Sequence, residues 1–128
     1  MKLKIKGKEY TPKFGIGFME RAISIENPDD QDIMKLSTQK LMFHALAYAD
    51  EREGLEPTLT QYDVYDYLDE VGLSDASVKQ FQVEFFKSMR VHLPDEESKK
   101  AIDQVVKNLT PEDKKKVSKS GKKTGSKT

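Results

Sequence analysis

Lysines and apolar residues alternate at the start of the chain, with Leu3 and Ile5 set between Lys2, Lys4 and Lys6. A period of two marks a strand with one buried face. Gly7 falls where a tight turn needs positive φ, and Glu9 to Phe14 reads as the returning strand. Beyond the Gly15-Ile16-Gly17 hinge the spacing becomes helical: Phe18, Ala22 and Ile25 form a stripe flanked by Ile16, Met19 and Ile23. The pattern predicts a basic hairpin that feeds directly into an amphipathic helix.

Pro28 pushes Asn27 out of the α region and ends that helix. A second helix is predicted from about Asp32 to Glu51, with a restart at Ser37-Thr38. Between Leu41 and Ala49 it is apolar over most of its circumference, with a narrow polar edge of Lys40, His44 and Glu51. Such a helix belongs at the centre of a core. The third helix, over residues 61–71, is the best signposted. Thr60 and Asp63 form a variant capping box, and Leu59 and Val64 a hydrophobic staple. Gly72 is expected to end it in the left-handed conformation, with Leu73 folding back on Leu68 as in a Schellman motif. Its buried stripe is Val64, Tyr67, Leu68 and Val71.

Ser74 or Asp75 is expected to cap a fourth helix that runs to about His92, with Val78, Phe81, Phe85 and Met89 in line and Val83 and Phe86 beside them. Pro94-Asp95-Glu96-Glu97 opens a last helix. Its apolar residues, Ala101, Ile102, Val105, Val106 and Leu109, are fewer and smaller. Beyond Thr110-Pro111 come Glu112 and Asp113, and the rest is Lys, Ser, Gly and Thr with one Val. Such a composition buries too little apolar surface to offset chain entropy, so disorder is expected over 110–128. The fold expected is mainly α with a small N-terminal β-hairpin. It is a compact bundle of four to five helices in one globular domain over 1–109, with the hairpin in 1–14 and the helices in 15–109.

Composition agrees with one soluble domain: 128 residues, 36% apolar and 34% charged, without cysteine. The absence of cysteine excludes disulfides and thiolate metal sites. No stretch approaches the roughly 18 apolar residues of a membrane span, and no signal peptide is evident. An intracellular protein is therefore expected. Charge is sorted along the chain, +4 in residues 1–13, −9 in 14–110 and +5 in 111–128. An acidic body with basic ends raises nucleic-acid binding as an alternative function. Against it, the tail has no Arg and no aromatic residue among its lysines for base stacking. The composition thus speaks against nucleic acid as a partner, and a solubilising or partner-steering tail fits better.

Chemistry is sparse. His44 and His92 are the only histidines; His44 reads as a solvated residue on a polar helix edge, and His92 suits a helix C-terminus. Asp63, Asp66, Asp69 and Glu70 lack the loop and spacing of a calcium hand and read as a solvated acidic face edged by Tyr62 and Tyr65. Gly15 and Gly17 lack the third glycine and the Lys-Ser/Thr pair of a phosphate loop, and mark a bend. No catalytic residue, metal site or cofactor is expected.

The N-terminal string Lys-Leu-x-Ile-x-Gly-Lys-Glu-Tyr, followed by Lys-Phe-Gly and an aromatic-led helix, resembles tail assembly chaperones of long-tailed (siphovirus-type) bacteriophages, closest to those of Gram-positive hosts. The residues concerned are Leu3, Ile5, Gly7, Lys8, Glu9, Tyr10, Lys13, Phe14, Gly15 and Phe18, and the helices to about residue 92 fit in size and order. The resemblance implies a non-enzymatic protein that coats the tape measure protein in the host cytoplasm, self-associates, and is absent from the finished virion. It also implies a longer, frameshifted form that recruits the tail tube protein; Gly121-Lys122-Lys123 could be encoded by a slippery run. A holdase needs apolar or aromatic contacts on a charged body. Tyr62, Tyr65, Phe85, Phe86 and Met89 are the candidate contacts, although the spacing of Phe81 and Phe85 favours the core.

Overall fold

The computed structural model describes residues 1–30 and 32–110. Two strands, β1 (Leu3–Ile5) and β2 (Lys8–Tyr10), pair antiparallel with Leu3 opposite Tyr10 and Ile5 opposite Lys8. Lys6 and Gly7 between them both take positive φ, as a two-residue type I′ turn requires. The hairpin is mainly α-covered: Leu3, Ile5 and Tyr10 are buried, and β1 packs on the third helix. Its return strand is shorter than the expected Glu9–Phe14. Pro12 cannot donate to a ladder, and the Lys13 amide instead donates to the Ala45 carbonyl at 3.1 Å.

Among the described residues five α-helices follow: α1 (Ile16–Glu26), α2 (Thr38–Arg52), α3 (Gln61–Val71), α4 (Ala76–Arg90) and α5 (Glu96–Leu109). The fold is thus mainly α with an N-terminal hairpin. The chain forms two compact units, Met1–Phe81 and the part from Gln82 on, the division falling within α4. The sequence pattern alone reads 1–109 as one domain. The Lys-rich tail and the Gly121-Lys122-Lys123 segment lie outside the described residues.

In the first unit α2 is central, packed by α1 and α3, with Leu41, Met42, Ala45, Leu46 and Ala47 buried. Phe18 and Ala22 of α1 meet this core, and Phe14 sets its ring edge-on to Phe18 at 5.3 Å and beside Phe81 at 5.4 Å. Removing a ring such as Phe18 should cost about 3–5 kcal/mol. Gly17 lies where a Cβ would fall inside the Tyr48 phenol, so α1 and α2 approach closely there. The hinge glycines therefore serve packing as well as the bend.

Three local expectations are corrected. Ile25 does not join the α1 stripe but is 56% exposed; the buried face turns toward Arg21 and Glu26 instead. The second helix begins at Thr38, not Asp32. The Asp32 carboxylate accepts from the Met34 amide and opens a separate 3₁₀ turn, Ile33–Lys35, which Leu36 ends in extended conformation. The Schellman motif belongs to α2 rather than α3. Gly54 has φ 77°, its amide donates to Glu51 and that of Leu55 to Asp50, the double closure that a left-handed C′ glycine permits. At Gly72 ψ is 152°, far from the left-handed well, and Leu73 is 60% exposed.

In the second unit the Arg90 guanidinium makes two bonds to Asp103, at 2.7 and 3.1 Å, and ties α4 to α5. Val83, Phe85, Met89 and Ile102 are buried there, whereas Ala101 and Val105 of α5 stay exposed. Among the described residues no helix is long and apolar enough to cross a membrane.

Candidate functional site

Two features stand out in the first unit. One is an exposed aromatic and apolar face on α3; the other is a buried polar cluster centred on His44.

The face exists because α3 is fixed at its N-terminus. The Thr60 hydroxyl accepts from the Asp63 amide at 3.2 Å, and the Asp63 carboxylate accepts from the Thr60 amide at 2.9 Å. Asp63 also takes an ion pair from Lys6 at the hairpin turn. That bond from Lys6, with the Thr60 amide, holds the Asp63 carboxyl below its usual range. So Asp63, expected on a solvated acidic face, is buried and structural. Asp66 and Glu70 line the small recess beside the hairpin with Lys4 and Lys6.

With Asp63, Val64, Tyr67 and Leu68 turned inward, Tyr62, Asp66, Asp69 and Glu70 face solvent and Tyr65 is half-buried. Tyr62 is 75% exposed and sits edge-on to Tyr65 with ring centres 6.0 Å apart. Tyr65 then borders an open groove of about 330 Å³ lined by Gln39, Leu68, Asp69 and Leu73. Apolar floor, aromatic wall and acidic rim lie together there.

Of the five contacts expected from sequence, the structure brings Tyr62 and Tyr65 together. Phe85 and Met89 are each 2% exposed and cannot meet a partner from the surface. Their spacing with Val78 and Phe81 puts them on the buried face of α4, which is the physical reason for this correction. Phe86 is half-buried, its ring edge-on to Phe85 at 5.2 Å.

His44 is also corrected. It is 0% exposed rather than solvated, and it joins side chains from three helices. Its Nδ1 lies 2.6 Å from Arg21 Nη1 and its Nε2 2.7 Å from Glu26 Oε2. A guanidinium only donates and a carboxylate only accepts, so the ring is neutral with its proton on Nε2. Glu26 further accepts from Gln61 at 3.0 Å and pairs with Lys40 at 3.1 Å. Arg21 is gripped by both Glu51 oxygens at 3.1 Å and lies over the Phe43 ring. Burial pushes the His44 pKa below its ordinary value, against the pull of Glu26, and Arg21 adds to the lowering. Burial would raise Glu26, but bonds from His44 and Lys40 prevail and lower it. Sealed from solvent, His44 holds α1 to α2 rather than meeting a ligand. One signal for this cluster was present in the sequence: Arg21 and Glu26 flank Phe18 and Ala22 at helical spacing.

Among the described residues no group of His, Asp and Glu could hold a metal ion. No family model, curated protein or solved structure matches this chain.

Proposed function

We propose that this protein is a phage tail assembly chaperone, a holdase that binds the tape measure protein in the host cytoplasm and keeps it soluble until the tube forms. The observation that carries the reading is the α3 face, where exposed Tyr62 meets Tyr65 edge-on and exposed Leu73 lines the groove with Tyr65, Leu68 and Asp69. Tyrosines offer large, rigid contact area at low entropic cost. An amphipathic client helix would lay its apolar stripe on Tyr65 and Leu73 and direct a flanking Lys or Arg to Asp69. Each site is small, so strength comes from many copies along one long client, which suits self-association. The N-terminal resemblance described above points the same way, and such a role needs no catalytic residue and no cofactor.

The test is co-expression with a candidate tape measure protein. The wild-type chain should raise the soluble fraction of the client, and the double variant Tyr62→Ser, Leu73→Ser should weaken its capture at least roughly tenfold. Both side chains are exposed, so circular dichroism should show the variant folded. A client no more soluble with the wild-type chain than without it refutes the reading.

A further inference from the structure

We propose that His44 is an acid-sensitive latch: its neutral ring holds α1 against α2, and protonation of that ring releases the grip. The argument rests on the geometry of the cluster. A single lone pair, on Nδ1, receives the Arg21 guanidinium at 2.6 Å. An imidazolium would present N–H to N–H at that distance, two cations with no acceptor between them. Arg21 cannot withdraw freely, because both oxygens of Glu51 hold it from the C-terminal end of α2.

The charged and titratable groups facing the ring are Arg21 and Glu26 from α1, with Lys40 and Glu51 from its own helix; α3 contributes the neutral Gln61. Only Glu26 could neutralise an imidazolium directly, and its oxygens already serve Lys40 and Gln61. The ring is also wholly shielded from water. Protonation must therefore displace either the ring or Arg21, and both moves break the His44 bridge between α1 and α2.

The sign follows from linkage. Folding depresses the affinity of His44 for a proton, so its contribution to stability is complete above its ordinary value of 6.5 and is lost as pH falls through the lower folded value. Glu26 is depressed as well and acts in the same direction, but only below its ordinary value of 4.5. A window from about pH 7.5 to about pH 5.5 therefore separates His44 from Glu26, and comparison with a variant at 44 separates it from His92.

The variant His44→Gln keeps both bonds, since the amide oxygen accepts from Arg21 and the NH₂ donates to Glu26, but it cannot titrate. Thermal melts across that window should show the wild-type Tm falling more steeply with acid than the variant's. Parallel curves overturn the latch. A second measurement needs no variant. Nitrogen NMR of the wild-type imidazole at about pH 7.5 should show a neutral ring protonated on Nε2. A proton on Nδ1, or a cationic ring, overturns the proposal. Neither result depends on client binding, so the latch and the holdase reading can fail separately.

Discussion

Helices α3 and α5 receive the same kind of N-terminal signal and are buried very differently. At α3 the Thr60 hydroxyl caps the Asp63 amide; at α5 the Asp95 carboxylate accepts from the Ser98 amide at 2.7 Å, with Glu96 and Glu97 in the first turn. Yet α3 buries Asp63, Val64, Tyr67 and Leu68, and α5 only Ile102. The α5 stripe is cleanly segregated, but Ala101 and Val105 at its edge remain exposed. A cap and a stripe determine that a helix forms; how much of the stripe is covered depends on what the rest of the chain brings to it.

The sharpest way to break this contrast is by truncation. Leu68→Ala in α3 should cost about 2–4 kcal/mol, while Val105→Ala in α5 should stay within about 0.5 kcal/mol. Urea unfolding measures both. If Val105→Ala proves as costly as Leu68→Ala, the exposed edge of α5 is covered in solution and the contrast fails. Caps probe the shared part of the comparison. Because capping is local, Thr60→Ala and Asp95→Ala should each lower Tm by a few degrees, and by similar amounts despite the different burial. A large excess for Thr60 would mean that its box also anchors the hairpin through Asp63 and Lys6. The smallest effect belongs to Arg90 and Asp103. Their pair is exposed, so a double-mutant cycle should find weak coupling that fades with added salt.

What could be read from the chain follows the same division between local and distant causes. The turn at Gly7, the Thr60–Asp63 box and the central place of α2 follow from neighbours in sequence, and they stand as expected. Helix α3 ends before Gly72 as expected, and Gly72 takes positive φ, but the fold-back of Leu73 fails: the Gly72 ψ of 152° carries the chain away, and the double closure forms at Gly54 instead. His44 failed for a deeper reason. Its burial depends on Arg21, Glu26 and Gln61 arriving from two other helices, and no periodicity along α2 reports them. Of the candidate contacts, exposure separates Tyr62 from Phe85, and exposure is settled by packing.

The close approach of Gly17 to Tyr48 has a consequence for variation in this fold. The two positions share one volume, so the residue at 17 can grow only if the one at 48 shrinks or swings out. Chains built on the same plan should trade size between these two places, a bare backbone against a large ring or a methyl against something smaller. Such a paired trade is a signature that distant relatives could carry after the rest of the sequence has changed beyond recognition.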